Sequence, residues 1–543
     1  MKKSTTRILA LLLCCVLLLA VAACNKDKDK GGTNAGNTPA GTSNSGGNAA
    51  GNTTNPGGNQ PGNQPASAKD TISIAISGDS GTLRANAIMG GFVGIIRNYQ
   101  EPLYDTLADG TPVYVLATDI EEGTDEWIIH LRKDVTFSNG NKFDATDVMF
   151  SFDLYVNSPY GNMFLSTFDW ENCRIIDEYT VYIKIANYSI QQMGSLCQVY
   201  MFDAETYDED ALALNTIGTG PYVATEYVTN SHLYFTARDD YWGVQPKIKN
   251  VQYRIFNEDA QIVNALKAGL VDVASVPIQD IDYVKTLPEY NVTTYSSVFA
   301  ATMNFNMNSI SVMNNLDARL AVCYAADRQA MVNLVYFGYA TVLDYPVSEN
   351  CYDYDPALSN LHPTYSVGHN YDRAKEHAEK AGLVGKDVVV ITNGSPTYMS
   401  EAEILQDNMK KIGVNVIINN YDGATYMSVS QDPTMFDIAM YAAASPQSLA
   451  IGMLYDYCLW GAAQYADGWP EYWDFIALGR TGVSEINMDA RKGILKEMSV
   501  MFEDACPWYG ICDMMSAVAI NKDLSGIIFY NSGGMNFNEW YWV

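Results

Sequence analysis

The sequence contains few histidines and lacks the short motifs of the common hydrolases. Its histidines are scattered along the chain, and neither Gly-x-Ser-x-Gly nor His-Glu-x-x-His occurs. Nucleophilic and zinc-dependent hydrolysis need such groupings of a nucleophile with a base, or of metal ligands. We therefore expect no enzyme, no cofactor and no metal site. A tethered surface glycosidase or peptidase is the alternative; the many carboxylates do not favour it, because some of them will lie at glycosidase distance by chance.

Positive charge is also scarce. The chain has 33 Lys and Arg against 62 Asp and Glu, a net charge of −29 at pH 7. Such an excess repels phosphate backbones and anionic lipid headgroups over a Debye length. The charge therefore argues against nucleic acid and anionic lipid as ligands, and it says nothing about a small neutral solute.

The stretch 31–66 has no charged residue, no aromatic residue and no large aliphatic residue. A segment of this composition cannot bury enough apolar surface to offset its ordering entropy. We interpret it as a disordered linker with a root-mean-square span of about 35 Å, from ~5–6 Å times the square root of its length.

The N-terminus has a basic start and then an uncharged apolar stretch over 8–23. This stretch is shorter than the roughly 20 residues of a membrane-spanning helix and is typical of a signal peptide. It ends in "VAAC", which resembles the lipobox of bacterial lipoproteins. The resemblance implies a signal peptide over 1–23, a lipidated Cys24, and a linker that runs to residue 69. The protein is then anchored at the outer face of the bacterial cell membrane, on the extracellular or periplasmic side. An ordinary secretory signal with incidental cysteines is the alternative.

Seven cysteines follow the linker, an odd number. Disulfides are possible outside the cell, but these cysteines form no complete framework for so long a chain. Cys506 and Cys512 are close enough in sequence to pair, and buried free thiols are the other interpretation.

Helical and strand patterns alternate along the chain, which indicates an α/β protein. Apolar residues alternate over 127–131, as in a strand with one buried face. Asp144 precedes a helical pattern and has Asp147 three residues later, which predicts an acidic capping box. Asp327 is predicted to cap a helix that Gly338 terminates.

Together these features resemble a known family. The segment "YQEPLYDTLADGTPVYVLATDIEEGTDEWIIHLRKDVTFSNGNKFDATDVMFSF" is similar to the N-terminal signature of the extracellular solute-binding proteins of the oligopeptide, dipeptide and nickel type, which are the receptors of ABC importers. Further landmarks follow in the family's order: Gly218-Thr219-Gly220-Pro221-Tyr222, Tyr241-Trp242, Ala268-Gly269 with Asp272, Asn306, Ala326-Asp327-Arg328, Ala374-Lys375, Ala381-Gly382, Lys411-Ile412-Gly413-Val414 and Phe436-Asp437.

The resemblance implies a class II periplasmic-binding-protein-like α/β fold, with two lobes, a hinge and an extra inserted domain. Lobe I is expected to be discontinuous, over 70–106, 217–311 and 505–543. The extra domain is expected over 107–216 and lobe II over 312–504. A ligand then sits in the cleft between the lobes and is enclosed when the hinge closes.

The implied function is that of a monomeric, lipid-anchored receptor that captures a small solute and delivers it to an ABC permease in the membrane. Peptides are the first expectation for the ligand and oligosaccharides the second. For each aromatic candidate, core packing is the alternative role. The candidate ligand-binding residues are Tyr99, Asn304, Asn306, Tyr441, Ser445 and Trp460.

One departure from the family pattern concerns the peptide's amino terminus. Peptide-binding relatives have Trp-x-x-Asp after the "FD" strand, and this aspartate pairs with the amine; here Tyr441 and Ala444 hold those positions. A buried ammonium without a counter-charge is costly. We therefore expect no free peptide amine at residue 444, so that the ligand is a neutral oligosaccharide, an N-blocked peptide or a peptide held elsewhere. Asp437 and Asp456 are the nearest alternative carboxylates.

Overall fold

The structure is a computed structural model that describes most of the chain after the linker. Residues 1–68, which include the predicted signal peptide, Cys24 and most of the predicted linker, lie outside the described residues, so the predictions made for them stay predictions. The described residues are 69–88, 93–107, 111–158, 165, 167–212, 214, 216–443, 449–528 and 537–543. None of the helices in these ranges is both long enough and apolar enough to cross a membrane.

The strands are short, except for two. They are β1 (Thr71–Ser77), β2 (Tyr104–Thr106), β3 (Pro112–Tyr114), β4 (Ala117–Glu122), β5 (Glu126–Leu131), β6 (Arg174–Asp177), β7 (Thr180–Lys184), β8 (Tyr222–Val228), β9 (His232–Ala237), β10 (Asn250–Phe256), β11 (Val273–Ser275), β12 (Tyr290–Phe305), β13 (Ala340–Val342), β14 (Asp387–Thr392), β15 (Asn415–Asn420), β16 (Ile438–Ala443), β17 (Trp508–Asn521), β18 (Leu524–Ser525) and β19 (Tyr541–Trp542).

The longer helices belong mainly to lobe II. The helices are α1 (Val93–Ile96), α2 (Ala145–Val156), α3 (Gln192–Leu196), α4 (Glu209–Leu212), α5 (Asp259–Lys267), α6 (Ile281–Val284), α7 (Leu316–Ala325), α8 (Arg328–Val335), α9 (Pro363–Val367), α10 (Tyr371–Lys380), α11 (Pro396–Lys411), α12 (Gly423–Val429), α13 (Ala450–Trp460), α14 (Ala462–Tyr465), α15 (Tyr472–Val483) and α16 (Met488–Ala505).

One 11-stranded mixed sheet runs through both lobes. Its order is β15-β14-β16-β12-β17-β11-β1-β10-β9-β8, and β13 also pairs with β17. The strands at one end belong to the predicted lobe II, and those at the other end to the predicted lobe I. The long strands β12 and β17 lie in the middle and pair with strands of both lobes.

The extra domain contains its own four-stranded sheet, in the order β4-β5-β7-β6. The alternation predicted over 127–131 is confirmed in β5, where Trp127 and Ile129 are fully buried. The capping box of α2 is confirmed as well: Asp144 Oδ1 accepts from the N–H of Thr146, and Asp147 Oδ2 accepts from the N–H of Asp144. All strands of this sheet lie inside 107–216, although the exact domain boundaries stay a prediction.

The helix junction at Asp327 also forms as predicted. The carboxylate of Asp327 accepts from the N–H of Ala330 at 2.9 Å and so caps α8. Gly338 follows the helix with a φ of +82° and donates its N–H to the carbonyl of Val332 at 3.0 Å. Both ends of this helix are therefore determined by local sequence.

The clusters of buried hydrophobic side chains show which of the domains share a core. One buried cluster contains side chains of both the extra domain and lobe I, for example Trp127 and Tyr253. A second large cluster fills lobe II. β17 contributes to both clusters, with Val518 in the first and Tyr509 in the second. The extra domain therefore packs as part of lobe I, and β17 leads from that body into lobe II.

The Gly218-Thr219-Gly220 segment packs closely against the backbone of Tyr99. A Cβ atom at Gly218 would lie 2.0 Å from the carbonyl oxygen of Tyr99, and one at Gly220 would lie 2.7 Å from the Cα of Tyr99. The glycines are required because two backbone segments approach closely here.

Candidate functional site

The two lobes are joined by the antiparallel pair of β12 and β17. β12 has 16 residues, a length of about 50 Å at ~3.3 Å per residue. The pairing has an irregularity between Ser296 and Ala300 on β12, opposite Met515 and Asp513 on β17. Bulges of this kind bend a strand and increase its twist. We call this part of the pair the hinge region.

Residues of three neighbouring strands share one face of the sheet beside the hinge region. Ala300 of β12 pairs with both Asp513 of β17 and Ala443 of β16, and two residues further along β12 Thr302 pairs with Tyr441. Directly paired residues, and residues two apart on a strand, point to the same face. Asp513, Ala443 and Tyr441 therefore lie on one face, close to the junction of the lobes.

Tyr441 and Asn304, two of the predicted ligand residues, belong to a small polar and aromatic cluster on this face. The ring of Tyr441 is half-buried and contacts the ring of Tyr457 edge-on, with a centroid distance of 5.6 Å. Thr302 Oγ1 donates to the carbonyl of Tyr441 at 3.2 Å, and Asn304 Nδ2 donates to Thr302 Oγ1 at 3.0 Å. The hydroxyl of Tyr465 donates to Asn304 Oδ1 at 3.3 Å. The structure thus brings these two predicted residues together.

Asp513 is a buried carboxylate in the hinge region. Its Oδ2 accepts from Ser296 Oγ at 3.0 Å, from Ser348 Oγ at 2.9 Å and from Asn350 Nδ2 at 2.8 Å. Within the described residues its Oδ1 is buried without a hydrogen-bond partner. Burial raises the pKa of Asp513, against the effect of the three hydrogen bonds. Buried polar atoms nearly always have a hydrogen-bond partner. Asp513 Oδ1 has none among the described residues and lies on the same carboxylate as the oxygen that the exposed Asn350 contacts, so a ligand could donate a hydrogen bond to it.

Lobe II also contacts the extra domain, at a second place. The N–H of Ile190 donates to the carbonyl of Val483 at 2.8 Å. Gln191 Nε2 donates to Asp456 Oδ2 at 3.3 Å. We call this pair of hydrogen bonds the clasp. It links the body formed by lobe I and the extra domain to lobe II independently of the hinge strands.

In the described part of the chain, no group of three or more His, Cys, Asp and Glu side chains is arranged to hold a metal ion. The site therefore consists of a hinge, aromatic side chains, amides and one carboxylate. These groups can bind and orient a solute.

Comparison with known proteins identifies the family. The model of the bacterial extracellular solute-binding proteins, family 5 middle region, matches residues 111–459. The chain belongs to family 5 of the bacterial extracellular solute-binding proteins. Members of this family are substrate-binding receptors of ABC importers, so the prediction that the chain is not an enzyme is confirmed.

Several relatives resemble this family 5 receptor over most of its body. A Brucella ovis protein named for peptide binding in an ABC transporter is 26% identical over 395 residues, which are 67% of this chain and 72% of that protein. The nickel-binding periplasmic protein of Escherichia coli is 26% identical over 363 residues, 60% of this chain and 66% of that protein. Heme-binding protein A of Haemophilus influenzae is 24% identical over 354 residues, 59% and 63% of the two chains.

Solved structures confirm the fold of the family 5 receptor. NikA from Brucella suis, in complex with Fe(III)-EDTA, superposes with a TM-score of 0.77 over 87% of this chain and 100% of that chain, at 19% identity. DppA from Helicobacter pylori, in complex with the peptide STSA, gives a TM-score of 0.70 over 87% and 98%, at 19% identity. The predicted two-lobed class II α/β fold is therefore correct, and at these identities the likeness concerns the fold alone.

Two other predicted ligand residues of the receptor lie in packed surroundings. Tyr99 is 1% exposed; its hydroxyl donates to the carbonyl of Leu83 at 2.7 Å and its ring stacks on Phe235 at 5.8 Å. Asn306 is fully buried, and its Nδ2 donates at 2.7 Å to the carbonyls of Pro433 and Phe436. In this structure both have packing or loop-holding roles, so a contact with ligand stays a prediction for each.

Most of the remaining residues predicted for the site are not among those that the structure describes. Ser445 and Ala444 lie in the undescribed stretch 444–448, and Trp460 is the last residue of α13, with a side chain that is not described. Of the alternative carboxylates, Asp437 accepts from Ser311 Oγ and from the N–H of Val389. Asp456 belongs to the clasp. The proposal about the amine at residue 444 thus remains a prediction.

Two features escaped the sequence reasoning. Asp513 is the one charged residue within the otherwise uncharged "WYGICDMMSAVAIN" of β17, and this isolation was a signal that could have found it.

Cys506 faces Cys323, with Sγ atoms 3.6 Å apart, and not Cys512. All seven described cysteines are free thiols, so the suggested Cys506–Cys512 pairing is not formed in this structure. The reason is that Cys506 directly follows α16, beside Cys323 of α7, whereas Cys512 lies within β17.

Proposed function

We propose that this family 5 receptor is anchored through a lipidated Cys24 at the outer face of a bacterial cell membrane and supplies peptide-type solutes to an ABC permease. The receptor works as a monomer, and the linker keeps it at a high effective concentration near the permease. The lipobox-like "VAAC" and the polar stretch 31–66 support the anchor and the tether.

Ligand capture follows from the hinge region. A solute that contacts both lobes binds the closed arrangement better than the open one, and only this difference shifts the receptor toward closure. β12 and β17 can bend at the irregular pairing near Asp513 while the cores of the two lobes stay intact. The free energy of ligand binding thereby shifts the equilibrium of this hinge motion toward the closed arrangement.

A free amine is the ligand group that Asp513 suits best, and this single observation carries the choice of peptides. The carboxylate has three donors on one oxygen and none among the described residues on the other. A ligand ammonium would donate to the unpartnered oxygen and neutralise the charge at the same time. Several relatives are named for peptide binding, in agreement with such a ligand.

An amine held at Asp513 does not need a carboxylate at residue 444, where this chain has alanine. Ala443 pairs with Ala300, and Ala300 pairs with Asp513, so Asp513 is two strands away from Ala443. This corresponds to about 10 Å at ~4.8 Å per strand. We propose that the peptide amine is held at Asp513 and not at residue 444. A neutral oligosaccharide is the second candidate, because the half-buried ring of Tyr441 offers an apolar surface for a sugar.

The test is calorimetry of matched tripeptides with free and acetylated amino termini, preceded by mass spectrometry of any co-purified ligand. We expect Asp513→Asn to weaken binding of the free-amine peptide about 10- to 100-fold, since a hydrogen bond to a charged group contributes ~1.5–3 kcal/mol. The acetylated peptide should bind both proteins equally. Asp407→Asn, an exposed residue of lobe II, is the matched control. Equal affinities of the free-amine peptide for the wild type and Asp513→Asn would contradict the assignment.

A further inference from the structure

Outside the ligand site, two cysteines of lobe II form a contact that the receptor function does not use. Cys323 lies in α7 and is fully buried, and Cys506 directly follows α16 and is 5% exposed. Their Sγ atoms are 3.6 Å apart. A disulfide bond is about 2.05 Å long, so the sulfurs need to approach by roughly 1.5 Å.

The backbone at Cys506 is unusual for a residue with a side chain. Cys506 has φ +50° and ψ +57°, in the left-handed region, and its N–H donates to the carbonyl of Phe502 at 2.7 Å. Helices normally end in this conformation with glycine, because a Cβ atom makes it unfavourable. Glycine would adopt this backbone conformation at a lower cost in free energy, so the conformation of the turn does not explain why a cysteine occupies this position.

A buried cation lies beside the two sulfurs. Arg319 is 2% exposed and precedes Cys323 by one helical turn. Its Nη1 donates to the carbonyls of Met313 and Asn314, and its Nη2 to the carbonyl of Ala505, at 2.7–3.0 Å. Within the described residues its Nε–H is buried without a partner. These contacts are all with neutral carbonyls, so the guanidinium favours a negative charge close by.

The two thiols consequently have different roles. A hydrogen bond from Cys323 and the nearby Arg319 lower the pKa of Cys506. Burial raises the pKa of Cys323. A thiolate, and not a thiol, attacks a disulfide. Cys506 therefore suits the role of nucleophile, and Cys323 the role of the second thiol that completes the exchange.

We propose that Cys323 and Cys506 are a dithiol site that is oxidised to an intramolecular disulfide by an external low-molecular-weight disulfide. The Cys506 thiolate attacks one sulfur of the oxidant, whose S–S bond breaks, and the departing thiolate takes the proton of Cys323. The Cys323 thiolate then attacks Cys506, forms the new S–S bond and releases the second thiolate, which takes a proton from water. Two cysteines are oxidised, and one disulfide is reduced to two thiols.

The bond would join α7 to the beginning of β17. The two residues are 183 positions apart in sequence, and the chain between them includes most of lobe II. Closing so large a loop restricts the unfolded chain strongly. We therefore expect the oxidised protein to unfold at a higher temperature than the reduced protein, with no effect on the hinge strands beyond residue 506.

The test uses the complete chain in two arms. In one arm the folded protein is incubated with oxidised glutathione, and in the other it is unfolded in urea and refolded in a glutathione redox buffer. Remaining thiols are alkylated, and non-reduced peptides are analysed by mass spectrometry. We expect a linked peptide pair that contains Cys323 and Cys506, with a mass about 2 Da below that of the two free peptides. Alkylated Cys323 and Cys506 in both arms, or a Cys506–Cys512 link in their place, would overturn the proposal.

Two variants complete the design. Cys512→Ser should form the same linked pair, because Cys512 takes no part in it. Cys506→Gly should fold at least as well as the reduced wild type, since glycine suits the left-handed backbone. Its melting temperature should be insensitive to oxidised glutathione, whereas that of the wild type rises. Equal oxidant-induced shifts in the wild type and Cys506→Gly would refute a role for this pair.

Discussion

Replacement of Glu401 by glutamine should remove a large part of the pH dependence of the receptor's stability. Glu401 lies in α11 in the core of lobe II and is fully buried. Its Oε1 accepts from the hydroxyl of Tyr336 at 2.7 Å, and its Oε2 has no hydrogen-bond partner among the described residues. Burial raises the pKa of Glu401 from 4.5 to about 8. The folded protein therefore retains a proton that the unfolded chain releases.

The direction and size of the effect follow from linkage. Because the folded pKa is above the unfolded pKa, the contribution is fully present below pH 4.5 and is lost as the pH rises toward 8. At ~1.36 kcal/mol per pH unit, the loss between pH 5 and pH 7 is about 2.5 kcal/mol. Glutamine cannot ionise, although its amide N–H groups cost about 1–3 kcal/mol if they stay unpaired. Glu401→Gln should be the less stable protein at pH 5 and should recover by about 2.5 kcal/mol relative to wild type at pH 7.

Urea unfolding at pH 5, 6 and 7 and constant ionic strength measures this difference. Comparing variants at each pH cancels the contributions of the other buried acids. Glu403→Gln changes an exposed residue of the same helix and should follow the wild type throughout. Parallel stability profiles for the wild type and Glu401→Gln would show that Glu401 does not retain its proton in the folded state, and would refute the reasoning.

Three further predictions concern export and binding. Cys24→Ala should move the protein from the membrane fraction to the medium or leave an uncleaved precursor; unchanged detergent partitioning of a correctly processed mutant would contradict lipidation. A saturating ligand should reduce the radius of gyration in small-angle scattering and raise the melting temperature, and an open apo form whose size ligand leaves unchanged would argue against hinge closure. Ala444→Asp should increase the preference for free over acetylated peptides, whereas a wild-type cocrystal with the amine beside residue 444 would contradict our assignment.

Local sequence determined a large part of the fold. The capping box at Asp144, the cap at Asp327 and the alternation over 127–131 depend on neighbours within a few residues, so each could be predicted without knowledge of the tertiary structure. The family motifs predicted the two-lobed fold for a related reason, because their glycines and caps occur at positions that the fold requires.

The candidate site was harder to predict because its contacts are between distant parts of the chain. Asp513 receives its hydrogen bonds from Ser296 and Ser348, more than 160 positions away in sequence. Tyr99 was a reasonable aromatic candidate, and only its burial against Phe235 indicates a packing role. The contact between Cys323 and Cys506 depends on how α7 packs beside the end of α16, and sequence spacing could suggest only the nearby Cys512 as a partner. Residue type alone could suggest the chemistry of these positions but not their neighbours.

The clasp implies that the affinity of the receptor is adjustable from positions outside the cluster around Tyr441 and Asp513. Its hydrogen bonds from Ile190 and Gln191 join the extra domain to lobe II, so they favour the arrangement of the two bodies seen here. Stronger bonds at the clasp would increase the fraction of empty receptors in this arrangement, and weaker bonds would decrease it. Two receptors with identical ligand contacts could thus differ in the solute concentration at which they load.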